Sequence, residues 1–455
     1  MPEIKLPTSS QLNQLLQIQR GIEPIFGVAW DKSSNPVLTR IADSEGMVAS
    51  VGVDGQLVKN DFDTAPILGD MKEVVDTLSN VFIRIPKFYI KKVDIAGFKS
   101  FQVSKQRYHG FYLPWCFYDF TNGKELDYLD VGKYKASLGA GNVLESKPNL
   151  FPLINQNIVN FRTYAKNNNA NGLLGYQQLD IHTVDVLRTL MIIEFATLNS
   201  QSVMQGFTTG QYSSSHTAVL TELESNRIVV TNAVASLYRV GQAISVGTSL
   251  GGNQIFYGRT ITAINVVDAN NQALVFDGPP VDITEGNIVY NTGSKNGFSR
   301  NIIASSGSIA SNSDGKYPCV YRGIESPYGD LWQFVDGVNI DENQSWVAKN
   351  AEDYTSNLFA SPYQQLSYIN SNTNGFVKEK GFDINNPHAE FATDITGSSS
   401  TFYCDNYFQS TGQRIALFGG GWDSGSSAGF SSWRLSNSSS LARVNVGGRL
   451  LKKPL

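Results

Sequence analysis

The chain has 455 residues, 41% of them hydrophobic and 11% aromatic, which is enough for two or three domains with real cores and excludes disorder as the default. Charged residues make up 17% and the formal net charge is −4. Lys and Arg are scattered rather than gathered into a stripe, so the electrostatic footprint of a nucleic-acid binder is missing.

Residues 9–19 place Leu12, Leu15, Leu16 and Ile18 at helical spacing behind two serines that can cap them. Residues 1–24 are read as an N-terminal attachment segment, although at about one and a half heptads the helix is too short for an independent coiled coil and packing onto its own domain is the favoured role for it. No basic stretch followed by an apolar core stands at the N-terminus, and no run of about 18 apolar residues occurs anywhere. Neither ordinary secretion nor membrane insertion is expected. From 25 to 58 the text is one of short strands and turns: FGVAW at 26–30, DKSSNP at 31–36 and VLTR at 37–40 form a hairpin.

Residues 81–92 alternate apolar and basic positions around Pro86, the pattern of a strand with one wet face and a break. Its Lys and Arg read as a solvated face, with an anion site as the alternative. Residues 108–120 hold seven aromatics in thirteen positions, favouring an aromatic core layer over a binding box. The main helix is expected next, with Val184, Leu187, Met191, Phe195 and Leu198 as one apolar stripe and Asp180 or Thr183 as its cap. Glu194 within it reads as hydrogen-bonded structure rather than a general acid. Residues 207–298 change texture: β-branched runs at 226–231, 260–264 and 273–276, separated by Gly, Asn and Asp turns, predict a small antiparallel barrel or sandwich.

Beyond it the chain is rich in aromatics and Gly. The run VYRGIESPYGDLWQFVDG at 320–337 resembles the core of the formylglycine-generating-enzyme and sulfatase-modifying superfamily, a variant of the C-type lectin fold. Gly323, Gly329 and Gly337 allow tight backbone there, while Trp332, Phe334 and Val335 fill a core. GSSSTFYCDNY at 397–407, IALFGGGWDSGSSAGF at 415–430 and VGGRL at 446–450 are similar to the C-terminal blocks of phage receptor-binding proteins and targets of diversity-generating retroelements, including those of the major tropism determinant type. IRIPKFY at 83–89 and QLDIHT at 178–183 resemble upstream blocks of the same tail-protein group. The resemblance spans 25–206 and 300–451 and implies an α+β, C-type-lectin-like fold with a small all-β domain inserted. The expected division is thus an N-terminal part at 25–206, the insert at 207–298 and a C-terminal part with the binding loops at 299–455.

Cys116, Cys319 and Cys404 are too few and too far apart for a disulfide framework or a metal knuckle, and read as small buried hydrophobes. The reactive cysteine pair of the superfamily's enzyme branch has no counterpart here in sequence, leaving only a meeting of Cys319 and Cys404 in space. The calcium motif of sugar-binding C-type lectins is also missing. No catalytic residue, metal or cofactor is expected.

Between 418 and 449 Ser and Gly fill half the positions, and aromatic and Arg side chains are interspersed. This is a paratope vocabulary, in which rigid aromatics and Arg give contact energy and small polar residues give adaptable hydrogen bonds. The resemblance implies an outward set of Trp422, Asp423, Ser424, Ser426, Ser427, Phe430, Ser432, Trp433, Arg434, Ser436, Asn437, Ser438, Arg443 and Asn445. The expected protein is a non-enzymatic phage virion component of the tail fibre or tip, released without a signal peptide, that binds a bacterial surface protein or glycan. It is expected to contact other virion proteins and to form a homo-oligomer, a trimer by resemblance. A structural role in capsid decoration or a tail connector is the alternative, and an oxidase or hydrolase the remote third.

Overall fold

The computed structural model describes residues 21–170 and 172–455; the helix expected at 9–19, and most of the attachment segment at 1–24, lie outside them. Phe26–Trp30 is buried along its length because it is paired on both sides, with Thr39–Ala42 in the register Phe26↔Ala42 and with Phe98–Ser104 in the register Val28↔Phe101. The turn at 31–36 closes on its own side chains: Asp31 Oδ1 accepts from Ser33 N and Asn35 Oδ1 from Val37 N. Tyr89–Ile95 completes this four-stranded antiparallel sheet.

The segment expected as one broken strand is two strands in two sheets. Val81–Pro86 belongs to a five-stranded sheet whose order is Tyr176–Gln178, Leu450–Lys452, Tyr128–Gly132, Val81–Pro86 and Lys72–Val75. The end of the chain therefore lies between two strands of its first half. Arg449 fastens it there: its guanidinium is buried and donates to Gln333 Oε1 and to the carbonyls of Gly132, Glu325 and Ser326.

Ile181–Phe195 is the longest helix of the described residues, capped by Asp180 Oδ1 accepting from Thr183 N at 2.8 Å. Ala196, in the left-handed region, ends it, so Leu198 lies outside the helix. The expected single apolar stripe is corrected: every residue from Ile181 to Glu194 is buried, because the sheets enclose the helix on all sides. Its polar residues consequently need internal partners. Glu194 takes Asn60 Nδ2 at 2.7 Å and Arg322 Nε at 3.0 Å. Asp185 and Arg188 join Lys92, Lys99 and Glu390 in a buried ionic knot, with Lys92 Nζ to Asp185 Oδ1 at 2.6 Å and Arg188 to Glu390 at 2.6 Å. Lys92 is thus not on a solvated face; the helix supplies its carboxylate from 93 positions away.

The C-terminal part is built on a larger sheet whose centre is Trp332–Asp341, Arg414–Phe418, Trp433–Asn437 and Asn406–Gln409, the last pair running parallel. Between the two parts, residues 218–289 pack a hydrophobic core of their own, including Tyr238, Phe256, Phe276 and Val289. Around it run a five-stranded antiparallel sheet, with the long strand Gly252–Val266 in its middle, and a two-stranded ribbon. The molecule is therefore a mixed protein dominated by several sheets, and among its described residues no helix is long and apolar enough to cross a membrane.

Candidate functional site

Strand alternation decides where the C-terminal side chains go. Trp433–Asn437 is an interior strand, and Trp433 and Leu435 point to one face, into the core. Trp433 packs edge-on to Phe391 at 5.1 Å and against Phe418 at 5.2 Å. Phe430 lies among Tyr321, Tyr328 and Phe418. Trp422 joins Ile154, Phe207, Leu331 and Val444 in a cluster at the foot of the inserted unit. With relative exposures of 0% for Trp422, 1% for Phe430, 3% for Trp433 and 0% for Ser432, these four are corrected from outward to interior positions. Burying that much aromatic surface stabilises the loops themselves, leaving none of it for a partner.

The other members of the set fall into two groups. Ser424, Ser426 and Ser427 surround the short turn Gly425–Ser427, where Ser424 Oγ accepts from Gly421 N, and Ser436, Asn437 and Ser438 stand at the far end of their strand. Asp423, Arg434, Arg443 and Asn445 converge instead on one cavity of about 370 Å³. Its remaining walls are Asn155, Tyr212, Gly251, Ala442 and Val444, so the inserted unit contributes one side. Tyr212, Asn155 and Gly251 carry no sequence motif; only the fold brings them here.

The electrostatics of this cavity are unbalanced. Asn445 Nδ2 donates to Asp423 at 3.2 Å. Neither Arg434 nor Arg443 has a carboxylate within 4.0 Å among the described residues. Arg434 rests its guanidinium against the rings of Phe408 and Trp332, at 4.6 and 4.8 Å, with a buried Nε that has no partner. Burial lowers its affinity for its proton, Asp423 opposes this, and Arg443 adds to it. Tyr212 is held above its usual range by burial and by Asp423. The arrangement offers two unmatched guanidinium groups, one carboxylate, amides and a phenol.

A cavity of about 380 Å³ beside Arg322 and Lys133 differs in kind, because both cations already have partners, Arg322 in Glu194 and Asp63 and Lys133 in Glu73. Cys116, Cys319 and Cys404 are free and buried. Burial pushes the Cys319 and Cys404 thiols up to about 12, away from thiolate reactivity. Among the described residues no group of three or more His, Cys, Asp or Glu gathers in a way that would hold a metal ion.

Fold and cavity together define a sheet-rich mixed protein with a charged cleft where an inserted β unit meets the C-terminal loops. No family model matches the chain, and no curated protein matches it. Among solved structures, "Major Tropism Determinant U1 Variant" aligns over 91% of this chain and 89% of that one at 11% identity and a TM-score of 0.15. A likeness of that size carries no argument about fold or function, and the reading below stands on the residues.

Proposed function

We propose that the chain is a receptor-binding virion protein of a bacteriophage, part of a tail fibre or tail tip, with a C-type-lectin-like body and no catalytic role. It works as a homo-oligomer, a trimer by resemblance, so that weak single-site contacts add up to firm adsorption. The observation that carries the reading is the convergence of Asp423, Arg434, Arg443 and Asn445 on one open cleft with two cations unmatched. Unpaired guanidinium groups at a surface cleft are characteristic of recognition, since Arg supplies directional donors at little ordering cost. The cleft holds a single carboxylate, where hydrolysis of a glycoside generally needs two, which supports binding over cleavage.

The test is cell binding. Fluorescently labelled full-length protein, added to a panel of bacterial strains, is expected to label a subset of them and to block phage adsorption to those same strains. Arg434→Ala with Arg443→Ala is expected to abolish both effects. Protein that labels no strain and maps to the particle interior by immunogold microscopy overturns the reading in favour of a structural role, and labelling that survives the double substitution overturns the cleft as its binding site.

A further inference from the structure

The charged cavity adjoins a second one through a shared wall. Asn155 lines both it and this second cavity of about 400 Å³, which is walled by Leu138, Phe151, Pro152, Gln254 and Tyr257 among others. Two bonds tie the two together: Asn155 N donates to Arg443 O at 3.1 Å, and Gln254 Nε2 donates to Gly251 O at 3.1 Å. The second cavity is walled by Gln254 and Tyr257 of the strand Gly252–Val266 and the charged one by Gly251 just before it, so body and insert face each other across both.

Two glycines set their aromatic walls. At Gly251 a Cβ would come within 2.1 Å of Tyr212 Oη, and at Gly258 within 2.7 Å of the Phe151 ring. Both have positive φ, so glycine serves the backbone and the close approach at once. Tyr212 is then fixed edge-on between Trp422 at 5.5 Å and Tyr290 at 5.6 Å.

Resting on the receptor-binding reading, we infer that these adjoining cavities bind an acidic oligosaccharide, with a sugar carboxylate seated on Arg434 and Arg443 and the adjoining rings laid along Tyr212, Asn155 and Phe151. The charge count favours one carboxylate in the charged cavity: two arginines and one aspartate leave a net charge of +1, which a single sugar carboxylate neutralises. A guanidinium fork matches a carboxylate with two parallel donors, and neither Arg434 nor Arg443 is committed to a carboxylate among the described residues. Amides at Asn155, Asn445 and Gln254 suit hydroxyl groups, which both donate and accept. The exposed faces of Tyr212 and Phe151 suit the apolar C–H faces of sugar rings. The inserted unit is on this view half of the binding site.

The experiment is titration calorimetry on the full chain with tetragalacturonate, tetraglucuronate and tetrasialate, each beside its methyl ester, and with a glycerol-phosphate polymer. At least one acidic tetramer is expected to bind, with its ester weakened roughly tenfold or more, as the loss of a charge-assisted pair implies. Arg443→Ala and Tyr212→Ala are each expected to weaken that binding at least about fivefold, and Arg443→Ala, on an exposed position, is expected to leave the melting temperature in place. Ser438→Ala, outside both cavities, is expected to change nothing. If none of the acids binds while the protein still labels cells, the inference falls and the receptor reading stands; if neither occurs, both fall. Binding of the phosphate polymer alone, or acid binding indifferent to Arg443→Ala and Tyr212→Ala, overturns the ligand class or the site.

Discussion

The protein holds two groups of basic side chains whose difference lies in their partners. Around the central helix, Lys92, Lys99 and Arg188 are wholly enclosed and share Asp185, Asp94 and Glu390. At the cleft, Arg434 and Arg443 sit against aromatic rings and open space with no carboxylate within 4.0 Å among the described residues. Taking a charge out of water is costly unless it is matched, so the first group is architecture, complete within the chain. The second is incomplete in a way that an incoming anion corrects. Between these two groups, pairing separates structure from site where residue type does not.

The most direct way to break this comparison is to unmatch the knot. Burial pushes the Glu390 carboxyl up, but Lys92, Lys99, Arg188 and Lys380 together hold it well below its usual 4.5. Its contribution to stability is therefore present above about pH 4.5 and is lost as pH falls through the folded value. Glu390→Gln removes the carboxylate that Lys92, Lys99 and Arg188 share, leaving two carboxylates, Asp185 and Asp94, to three buried cations, and is expected to cost about 3–5 kcal/mol of unfolding free energy, read from urea denaturation at neutral pH. A loss under about 1 kcal/mol would show that the knot is hydrated and that pairing is the wrong criterion.

An intermediate effect is expected from the histidines that border the knot. His182 and His388 face each other with ring centroids 4.1 Å apart, beneath Trp115. His182 Nε2 donates to Ala348 O, leaving Nδ1 unpartnered, as is Nε2 of His388. Burial pushes His388 well below its usual 6.5, joined by His182, Lys92 and Lys349 and opposed by Glu390; burial also lowers His182, against Asp180. Both are depressed, so the unfolded chain takes up their protons first. Stability should be full above about pH 6.5 and fall as pH drops below it, by about 1.4 kcal/mol per pH unit for each His that stays neutral. Urea unfolding at steps between about pH 7 and pH 5 should show this slope, and His388→Leu should reduce it by half. This window lies above that of Glu390, so acid should loosen the histidines before the knot.

Much of the scaffold was legible before any coordinates. The strand at 26–30, the turn at 31–36, the Asp180 cap and the β texture of the insert all follow from local chemistry, because neighbours in sequence supply the bonds. Position relative to the rest of the molecule was not legible. Lys92 reads as solvated because its carboxylate is supplied 93 residues on, and the main helix reads as one-sided because the sheets that enclose it come from both ends of the chain. Trp422 and Trp433 carry a paratope vocabulary, but composition does not say which face of a strand is wet. Asp423, Arg434, Arg443 and Asn445, named from the sequence, line the cleft together with Tyr212 and Asn155, which nothing local marks.

The smallest expected change in stability sharpens the comparison most. Arg443 is exposed, makes no side-chain ion pair among the described residues, and lends the fold its carbonyl, which accepts from Asn155 N and Val446 N. Arg443→Ala should therefore move unfolding free energy by no more than about 0.5 kcal/mol, the range of surface positions without structural duties. The same substitution should weaken cell labelling, and more so at low ionic strength, where an exposed charge is least screened. A residue that matters to Glu390-like degree for folding would be part of the scaffold. One that matters for neither folding nor binding would leave Arg434 alone at the cleft, and the charge argument for a carboxylate seated there would lose its second cation.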